Sequence, residues 1–178
     1  MTNEILLPLL SAAAQGDRGA FADLYENTSS ILFALCLKML KRRDWAEDVV
    51  QDAYVKVWHH ANDYHAQKGS VLTWMISIAR YRALDVLKRK EHQLVVDMDD
   101  LDVGNDIGEE SDGDDLLDTD HLQHCLEQLK DDSKQTIEFA FFYGFTHQEL
   151  AARMDRSLGT IKSWIRRGLA QLRECLET

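Results

Sequence analysis

Apolar side chains recur at helical spacing along nearly the whole chain, and this period restricts the possible folds more than any other feature. The alternation of apolar and polar residues that a surface strand needs is scarce. Only one proline, Pro8, interrupts the pattern, and 178 residues suffice for one ordinary domain or two small ones. We therefore predict an all-α protein.

The segment TWMISIARYRALDVLKRK, residues 73–90, is predicted to be an amphipathic helix. Its apolar face consists of Leu72, Met75, Ile76, Ala79, Ala83, Val86 and Leu87. Trp74 and Tyr81 lie on the opposite face, seven residues apart and flanked by arginine and lysine. Exposing a large apolar side chain forgoes burial worth about 1.5–3 kcal/mol. Either another helix covers these rings, or they form a stacking platform for single-stranded nucleic acid.

Before this segment, the sequence predicts a short helix, a break at Gly16 and Asp17, a longer helix, and then a helix in DWAEDVVQDAYVKVWHHA with Asp44 as its N-cap. The apolar stripe of that last helix is Ala46, Val49, Val50, Ala53, Tyr54, Val57 and Trp58. Its other face carries Glu47, Asp48, Gln51 and Asp52. The following NDYHAQKGS is predicted to be a turn, in which Gly69 interrupts the helical pattern and Ser70 caps the next helix.

The net charge of −11 at first argues against a nucleic-acid partner. However, residues 97–120 hold 12 acidic residues and no lysine or arginine, so 19 of the 31 acids remain against 20 basic residues elsewhere. The surrounding segment 94–119 has no sustained period and few large apolar residues, as in a disordered or extended linker. We predict two small helical domains, 1–93 and 120–178, joined by a flexible acidic linker, 94–119.

The second predicted domain ends in THQELAARMDRSLGTIKSWIRRGLAQLREC, which has the pattern of a helix-turn-helix. Thr146 and Glu149 have the spacing of a capping box, DRSLG is a tight turn, and a second helix is predicted over 159–175. The inside of the corner would be Leu150, Ala151, Met154, Leu158, Ile161, Ile165, Leu169 and Leu172. The outer face of the second helix, with Thr160, Lys162, Ser163, Arg166 and Arg167, is typical of a DNA-recognition helix. The alternative is a plain helical hairpin with a solvated basic face.

The three cysteines, Cys36, Cys125 and Cys175, are odd in number and form no CxxC pair, which predicts reduced thiols in a cytosol. His121, His124 and Cys125 share a helix face, but no fourth metal ligand is evident. We expect a surface histidine pair beside a core cysteine, and no metal site. The apolar run ILLPLL is too short for a membrane span and lacks signal-peptide features, so we expect a cytoplasmic protein.

Four motifs resemble bacterial sigma factors of the extracytoplasmic-function (ECF) class in order and spacing: GDRGAFADLY, AEDVVQDAYVKVW, KGSVLTWMISIARYRALDVLKR and GTIKSWIRRGLAQLRE. The resemblance implies sigma region 2 in 1–93, a flexible linker, and sigma region 4 in 120–178. It implies an alternative-type sigma factor that binds the β′ clamp helices and β flap of core RNA polymerase and directs transcription initiation at promoter DNA. It also implies an anti-sigma factor as partner, no enzymatic activity, no cofactor and no small-molecule substrate.

The resemblance assigns residues to three surfaces. The polymerase-binding residues would be Glu47, Asp48, Gln51 and Asp52. The minus-ten residues would be Asp63, Tyr64, Lys68, Ser70, Trp74, Ser77, Arg80, Tyr81 and Lys88. The minus-35 residues would be Arg156, Ser157, Thr160, Lys162, Ser163, Arg166 and Arg167. Trp74 matches the first aromatic of a pair that wedges at the edge of the open DNA in primary sigma factors, and Met75 stands at the second position, which suggests weaker intrinsic melting.

Two departures from the family pattern lie in the helix-turn-helix. Asp155 stands where many relatives have glycine, and Trp164 stands where arginine is common, so a minus-35 sequence does not carry over. A stand-alone helix-turn-helix regulator is the main alternative, although it leaves residues 1–93 unexplained. An enzyme is disfavoured because no nucleophile–base set or phosphate-binding glycine loop occurs. The linker would either thread towards the RNA exit path of the polymerase or serve as an inert tether.

Overall fold

The computed structural model describes residues 3–91 and 119–177, and within these ranges the protein is all-α, as predicted, with no strand. The chain separates into two compact units, Met1–Gly113 and Asp114–Thr178. Apart from Thr119, the predicted acidic linker lies outside the described residues. None of the helices in the described ranges is long and apolar enough to cross a membrane.

The first unit contains four α-helices in its described part. They are α1 (Asn3–Ala14), α2 (Arg18–Leu40), α3 (Arg43–His60) and α4 (Val71–Glu91). Two 3-10 turns, Ala61–Asp63 and Ala66–Lys68, connect α3 to α4. The predicted break between α1 and α2 is confirmed, because Gly16 has a φ of 93° and the Asp17 carboxylate accepts the backbone N–H groups of Gly19 and Ala20.

The predicted N-cap of α3 was wrong. The helix begins at Arg43, one residue before Asp44, and its cap position is Arg42, which makes no side-chain cap hydrogen bond. Asp44 lies inside the first turn, where its carboxylate accepts from the Arg42 guanidinium at 2.6 and 3.1 Å. This hydrogen bonding lowers the pKa of Asp44. A carboxylate in the first turn also suits the positive end of the helix dipole.

The core of the first unit is built from one stripe on each of its helices. The predicted stripe of α3 is buried from Ala46 to Val57, while Trp58 is half-buried. On α4 the fully buried residues are Val71, Met75, Ala79 and Ala83. Leu84 is also buried, whereas the predicted core positions Val86 and Leu87 are half-buried.

Two linked hydrogen bonds within this core join α2 to α3. The hydroxyl of Thr28 donates to the backbone oxygen of Leu24 at 2.7 Å. Thr28 Oγ1 also lies 2.7 Å from the Tyr54 hydroxyl. Because the single hydroxyl proton of Thr28 is already engaged, Tyr54 must donate and Thr28 must accept. Burial raises the pKa of Tyr54 to about 12.

The second unit contains four further helices in its described part. They are α5 (Thr119–Glu127), α6 (Asp131–Phe142), α7 (His147–Arg153) and α8 (Leu158–Leu176). One part of its core groups the buried Cys125, Leu129 and Leu172, with Leu126 and Ile137 packed against them. The expectation of three reduced cysteines was wrong here, because Cys125 of α5 and Cys175 of α8 form a disulfide across 50 residues. Cys36 is free and buried.

The helices α6 and α8 approach each other closely at Gly168. A Cβ atom at this position would lie 2.6 Å from Ile137 Cδ1 and 3.2 Å from Ser133 Cβ, so any other residue would require the Ile137 side chain to move and Ser133 to give way slightly. Leu169, which we had predicted to face the inside of the corner, is 51% exposed. The buried face of α8 therefore passes through Gly168 rather than its neighbour.

The two linked hydrogen bonds of Thr28 and Tyr54 predict unequal effects of two conservative substitutions. Thr28→Val should destabilise the protein by about 1–3 kcal/mol, because it leaves the buried Tyr54 hydroxyl without an acceptor. Tyr54→Phe removes the donor and leaves Thr28 bonded to Leu24, so its cost should be about 0.5–1.5 kcal/mol. Urea unfolding of both variants measures the difference, and equal losses would contradict the inferred direction of donation.

Candidate nucleic-acid interface

Trp74 lies in the first turn of α4 and is held by the loop that precedes the helix. Its ring meets that of Tyr64 edge-on, with ring centroids 5.7 Å apart. The Tyr64 hydroxyl donates to the backbone oxygen of Gly69 at 2.8 Å, and Gly69 has a φ of 140°. Both aromatic side chains are half-buried. Trp74 is thus supported by a loop residue and keeps part of its surface open.

Ser70 caps α4, as the sequence predicted. Its Oγ accepts the backbone N–H of Thr73 at 3.2 Å and lies 2.9 Å from the Thr73 hydroxyl. Ser77, one turn later, donates to the backbone oxygen of Thr73 at 2.9 Å. These local bonds fix the start of α4, which determines where Trp74 points.

The solvent side of α4 continues from Trp74 with an exposed aromatic and several cations. Tyr81 is 63% exposed, and the Arg80 guanidinium lies 5.6 Å from its ring centroid. Lys88 is exposed near the end of the helix, and Lys68 is exposed in the loop before it. A ring beside cations suits both a base and a phosphate. Asp63, by contrast, is hydrogen-bonded to the His60 ring at 2.7 Å.

The four polar residues predicted on the outer face of α3 are all exposed: Glu47, Asp48, Gln51 and Asp52. Glu47 accepts from Arg43 at 2.9 Å, and Asp52 forms an ion pair with Arg82 of α4. Sequence reasoning missed two features of this surface. Val55, one turn after Gln51 and Asp52, is 56% exposed, and Arg82 joins the acidic surface to α4. Helical spacing from Asp48 and Gln51 would have identified Val55.

The helix-turn-helix begins as the sequence predicted. The Thr146 side chain accepts from the Glu149 backbone N–H, and the Glu149 carboxylate accepts from the Thr146 N–H at 2.6 Å. The turn after α7 contains Asp155 in the left-handed region, with a φ of 49°. Aspartate tolerates this region better than most residues, which explains how it occupies this turn without a glycine.

The first turn of α8 is capped by Ser157, whose Oγ accepts the Thr160 backbone N–H at 3.1 Å. The two hydroxyl groups are also 2.9 Å apart. Lys162, Arg166 and Arg167 are exposed, while Ser163 is half-buried and its backbone oxygen accepts from Arg167 at 3.3 Å.

The exposed Arg156 side chain in the turn donates to the Asp155 backbone oxygen at 3.1 Å. The predicted minus-35 residues thus share the N-terminal half of α8 and the turn before it.

Comparison with known proteins agrees with the order of these surfaces. The family model described as Sigma-70 region 2 matches residues 24–93, and the model described as Sigma-70, region 4 matches residues 120–172. The ECF RNA polymerase sigma factor SigK of Mycobacterium ulcerans (strain Agy99) is 33% identical over 175 residues, covering 95% of this chain and 92% of the relative. The chain belongs to the ECF sigma factors.

Another SigK and one solved sigma factor structure are also similar to this ECF sigma factor. SigK of Mycolicibacterium vanbaalenii is 32% identical over 171 residues, covering 94% of this chain and 87% of the relative. The sigma factor RpoE of Bartonella quintana, solved in complex with the anti-sigma factor NepR, is 23% identical. The match covers 89% of this chain and 97% of RpoE, with a TM-score of 0.42.

The protein is an alternative sigma factor that directs promoter-specific transcription, and it acts as an initiation factor rather than an enzyme. Both sigma regions are present, so the alternative of a stand-alone helix-turn-helix regulator was wrong. The prediction of an ECF sigma factor is confirmed. The individual site residues stay predictions and are developed below.

Proposed function

We propose that residues 1–93 dock on core RNA polymerase and open the minus-ten element, while residues 120–178 bind the minus-35 element. One side of α4 and the loop before it carry this proposal. A half-buried Trp74 is held by Tyr64, and the same side of α4 continues with the exposed Tyr81 and the cations Arg80 and Lys88, while Lys68 lies in the loop. Such a surface suits unpaired bases and their phosphates better than it suits a protein core.

At the minus-ten element, Trp74 stacks against the base pair at the upstream edge of the opening DNA. The loop from Asp63 to Ser70 receives one base that has left the duplex. Unstacking a base costs a few kcal/mol, so a loop shaped for one base also provides specificity. The Tyr64–Gly69 hydrogen bond supports this role, because it holds the loop in shape before DNA arrives.

The acidic surface of α3 docks on the clamp helices of the β′ subunit. Its carboxylates suit a basic partner, and the exposed Val55 adds an apolar contact at the same surface. Charges at the rim of such an interface act mainly on the rate of association. Asp52 is paired with the half-buried Arg82, whereas Glu47 is paired only with the exposed Arg43, so we assign the main electrostatic role to Glu47 and Asp48.

The N-terminal half of α8 enters the major groove of the minus-35 element. Lys162 and Arg166 are exposed cations on the outward face of that helix. Ser157 and Thr160 bond each other at the cap, so we expect them to position the helix and to contact phosphate rather than bases. The region 4 unit also meets the β flap of the polymerase.

An anti-sigma factor holds the protein inactive until its signal arrives. The support is a comparison alone, since the similar RpoE was solved with the anti-sigma factor NepR. We place the protein in the cytoplasm, where RNA polymerase and DNA are found. Run-off transcription with purified core polymerase on genomic fragments tests the whole proposal, and a complete lack of promoter-specific transcripts would overturn it.

Trp74→Ala should impair promoter opening while sparing polymerase binding. Losing one base–aromatic stack, worth about 1–3 kcal/mol, should lower the open-complex population by about 5- to 150-fold. Permanganate reactivity of minus-ten thymines measures this loss, and a pre-melted template should restore transcription. Trp58→Ala is the control, because Trp58 belongs to α3, packs against Phe21 at 5.0 Å and is not among the proposed minus-ten residues. If both variants open promoters equally well per folded molecule, Trp74 has only a structural role.

Reversing charge at Glu47 and Asp48 together should weaken binding to core polymerase. Each partly exposed pair is worth about 0.2–1 kcal/mol, so Glu47→Lys with Asp48→Lys should raise Kd by about 2- to 30-fold. Asp23→Lys with Glu26→Lys makes the same charge change on exposed residues of α2 and should leave Kd nearly unchanged. Titration with labelled core polymerase compares the pairs, and equal effects would remove the acidic surface of α3 from the interface.

Lys162→Ala and Arg166→Ala should weaken binding to minus-35 DNA in distinguishable ways. A base contact costs about 1–3 kcal/mol and relaxes preference at one position, whereas a phosphate contact weakens all sequences and lowers the salt slope by about one. Arg173→Ala is the control, since this exposed residue at the far end of α8 is paired with Glu177. Binding isotherms at several salt concentrations separate these cases, and two variants that behave like Arg173→Ala would exclude this face of α8.

A further inference from the structure

Three side chains with metal-binding atoms converge in the second unit, away from the proposed DNA-binding face. The ring of His121 and the sulfur atoms of Cys125 and Cys175 all lie within 4.8 Å of one another. The sequence placed His121 and Cys125 on one helix face but did not reveal a further ligand. The fold supplies it from the end of α8, 50 residues after Cys125.

We propose that the reduced form of this protein binds one Zn²⁺ ion through His121, Cys125 and Cys175. One nitrogen and two thiolates form a donor set that zinc prefers, with the fourth position of the tetrahedron left to water or another oxygen. This inference concerns the second unit alone and does not rest on the proposed roles at the promoter.

The spacing of the ligands permits a tetrahedral site. Two sulfur atoms on one zinc lie about 3.8 Å apart when each Zn–S bond is about 2.3 Å. The Cα atoms of Cys125 and Cys175 are 5.9 Å apart, so small rotations about their side-chain bonds achieve this separation without moving the helices. The three donor atoms already lie within 4.8 Å, so each needs to move by little more than 1 Å.

The surroundings of the proposed zinc site bury one side of it and leave the other side open to solvent. Cys125 is 1% exposed and belongs to the core with Leu129 and Leu172, while His121 and Cys175 are half-buried at the edge of that core. Gln128 Oε1 lies 4.0 Å from Cys175 Sγ. The amide of the same Gln128 lies 2.8 Å from His124 Nε2, which orients its oxygen towards the cluster. Gln128 thus offers an oxygen near the fourth position.

The disulfide and the metal site are two states of the same sulfur atoms. A dithiol reductant transfers two electrons to the Cys125–Cys175 bond, becomes a disulfide itself, and leaves two thiols on the protein. Zn²⁺ then displaces the two thiol protons and binds both thiolates and the neutral imidazole. In either state α5 is joined to the end of α8, so the metal preserves the connection that reduction would otherwise remove.

Cobalt titration of the reduced, full-length protein tests this proposal. One equivalent of Co²⁺ should bring a thiolate charge-transfer band and the visible bands of tetrahedral cobalt, and Zn²⁺ should abolish both. Cys36 should not contribute, because it is buried and burial raises its pKa to about 12. The oxidised protein is the reference that should not bind. A reduced protein without a thiolate–cobalt band would overturn the proposal.

Two variants and a matched control assign the ligands. His121→Ala and Cys175→Ser alter half-buried residues and should keep the helical circular dichroism of the parent. Each should weaken Zn²⁺ binding at least about a hundredfold, since even outer partners of metal ligands contribute about 10- to 100-fold. His147→Ala changes an exposed histidine of the same unit and should bind as the parent does. Parental affinity in His121→Ala or in Cys175→Ser would overturn the three-ligand site.

Discussion

The burial of one apolar stripe on each helix is the constraint on which the remaining structure depends. In α3, the burial of residues from Ala46 to Val57 forces Glu47, Asp48 and Gln51 to face outward. In α4, the burial of Met75 and Ala79 leaves Tyr81 in solvent. The surfaces proposed for polymerase and DNA are therefore the complements of the core stripes. An insertion or deletion of one residue within such a helix would rotate a functional surface away from its partner.

Local signals predicted those parts of the fold that depend on neighbouring residues. The capping box of Thr146 and Glu149 and the Ser70 cap both depend on contacts within four residues, and both are confirmed. The misplaced cap at Asp44 is different, because Arg42 outside the helix engages that carboxylate and the chain enters the helix earlier. A short-range sequence pattern does not distinguish an acidic side chain that caps the helix backbone from one that pairs with a neighbouring arginine.

Long-range contacts account for the wrong cysteine prediction and for contacts that the sequence analysis did not anticipate. The Cys125–Cys175 bond joins residues 50 apart, and the Thr28–Tyr54 hydrogen bond joins residues 26 apart. No helical period predicts such pairs. Part of the candidate site has the same character. Trp74 was singled out by its spacing from Tyr81, but its support by Tyr64 follows from the path of a loop, and the Asp52–Arg82 ion pair follows from the packing of two helices.

Gly168 lies roughly opposite Arg166 on α8, with two side chains of α6 where a Cβ atom would be. The missing side chain lets α8 approach α6 closely at Ile137 and Ser133. On the proposed assignment, this contact sets the angle at which the basic face meets the major groove. The choice of bases is then governed partly by a residue that does not contact DNA. Promoter preference can therefore evolve through the buried face of α8 as well as through its exposed basic face.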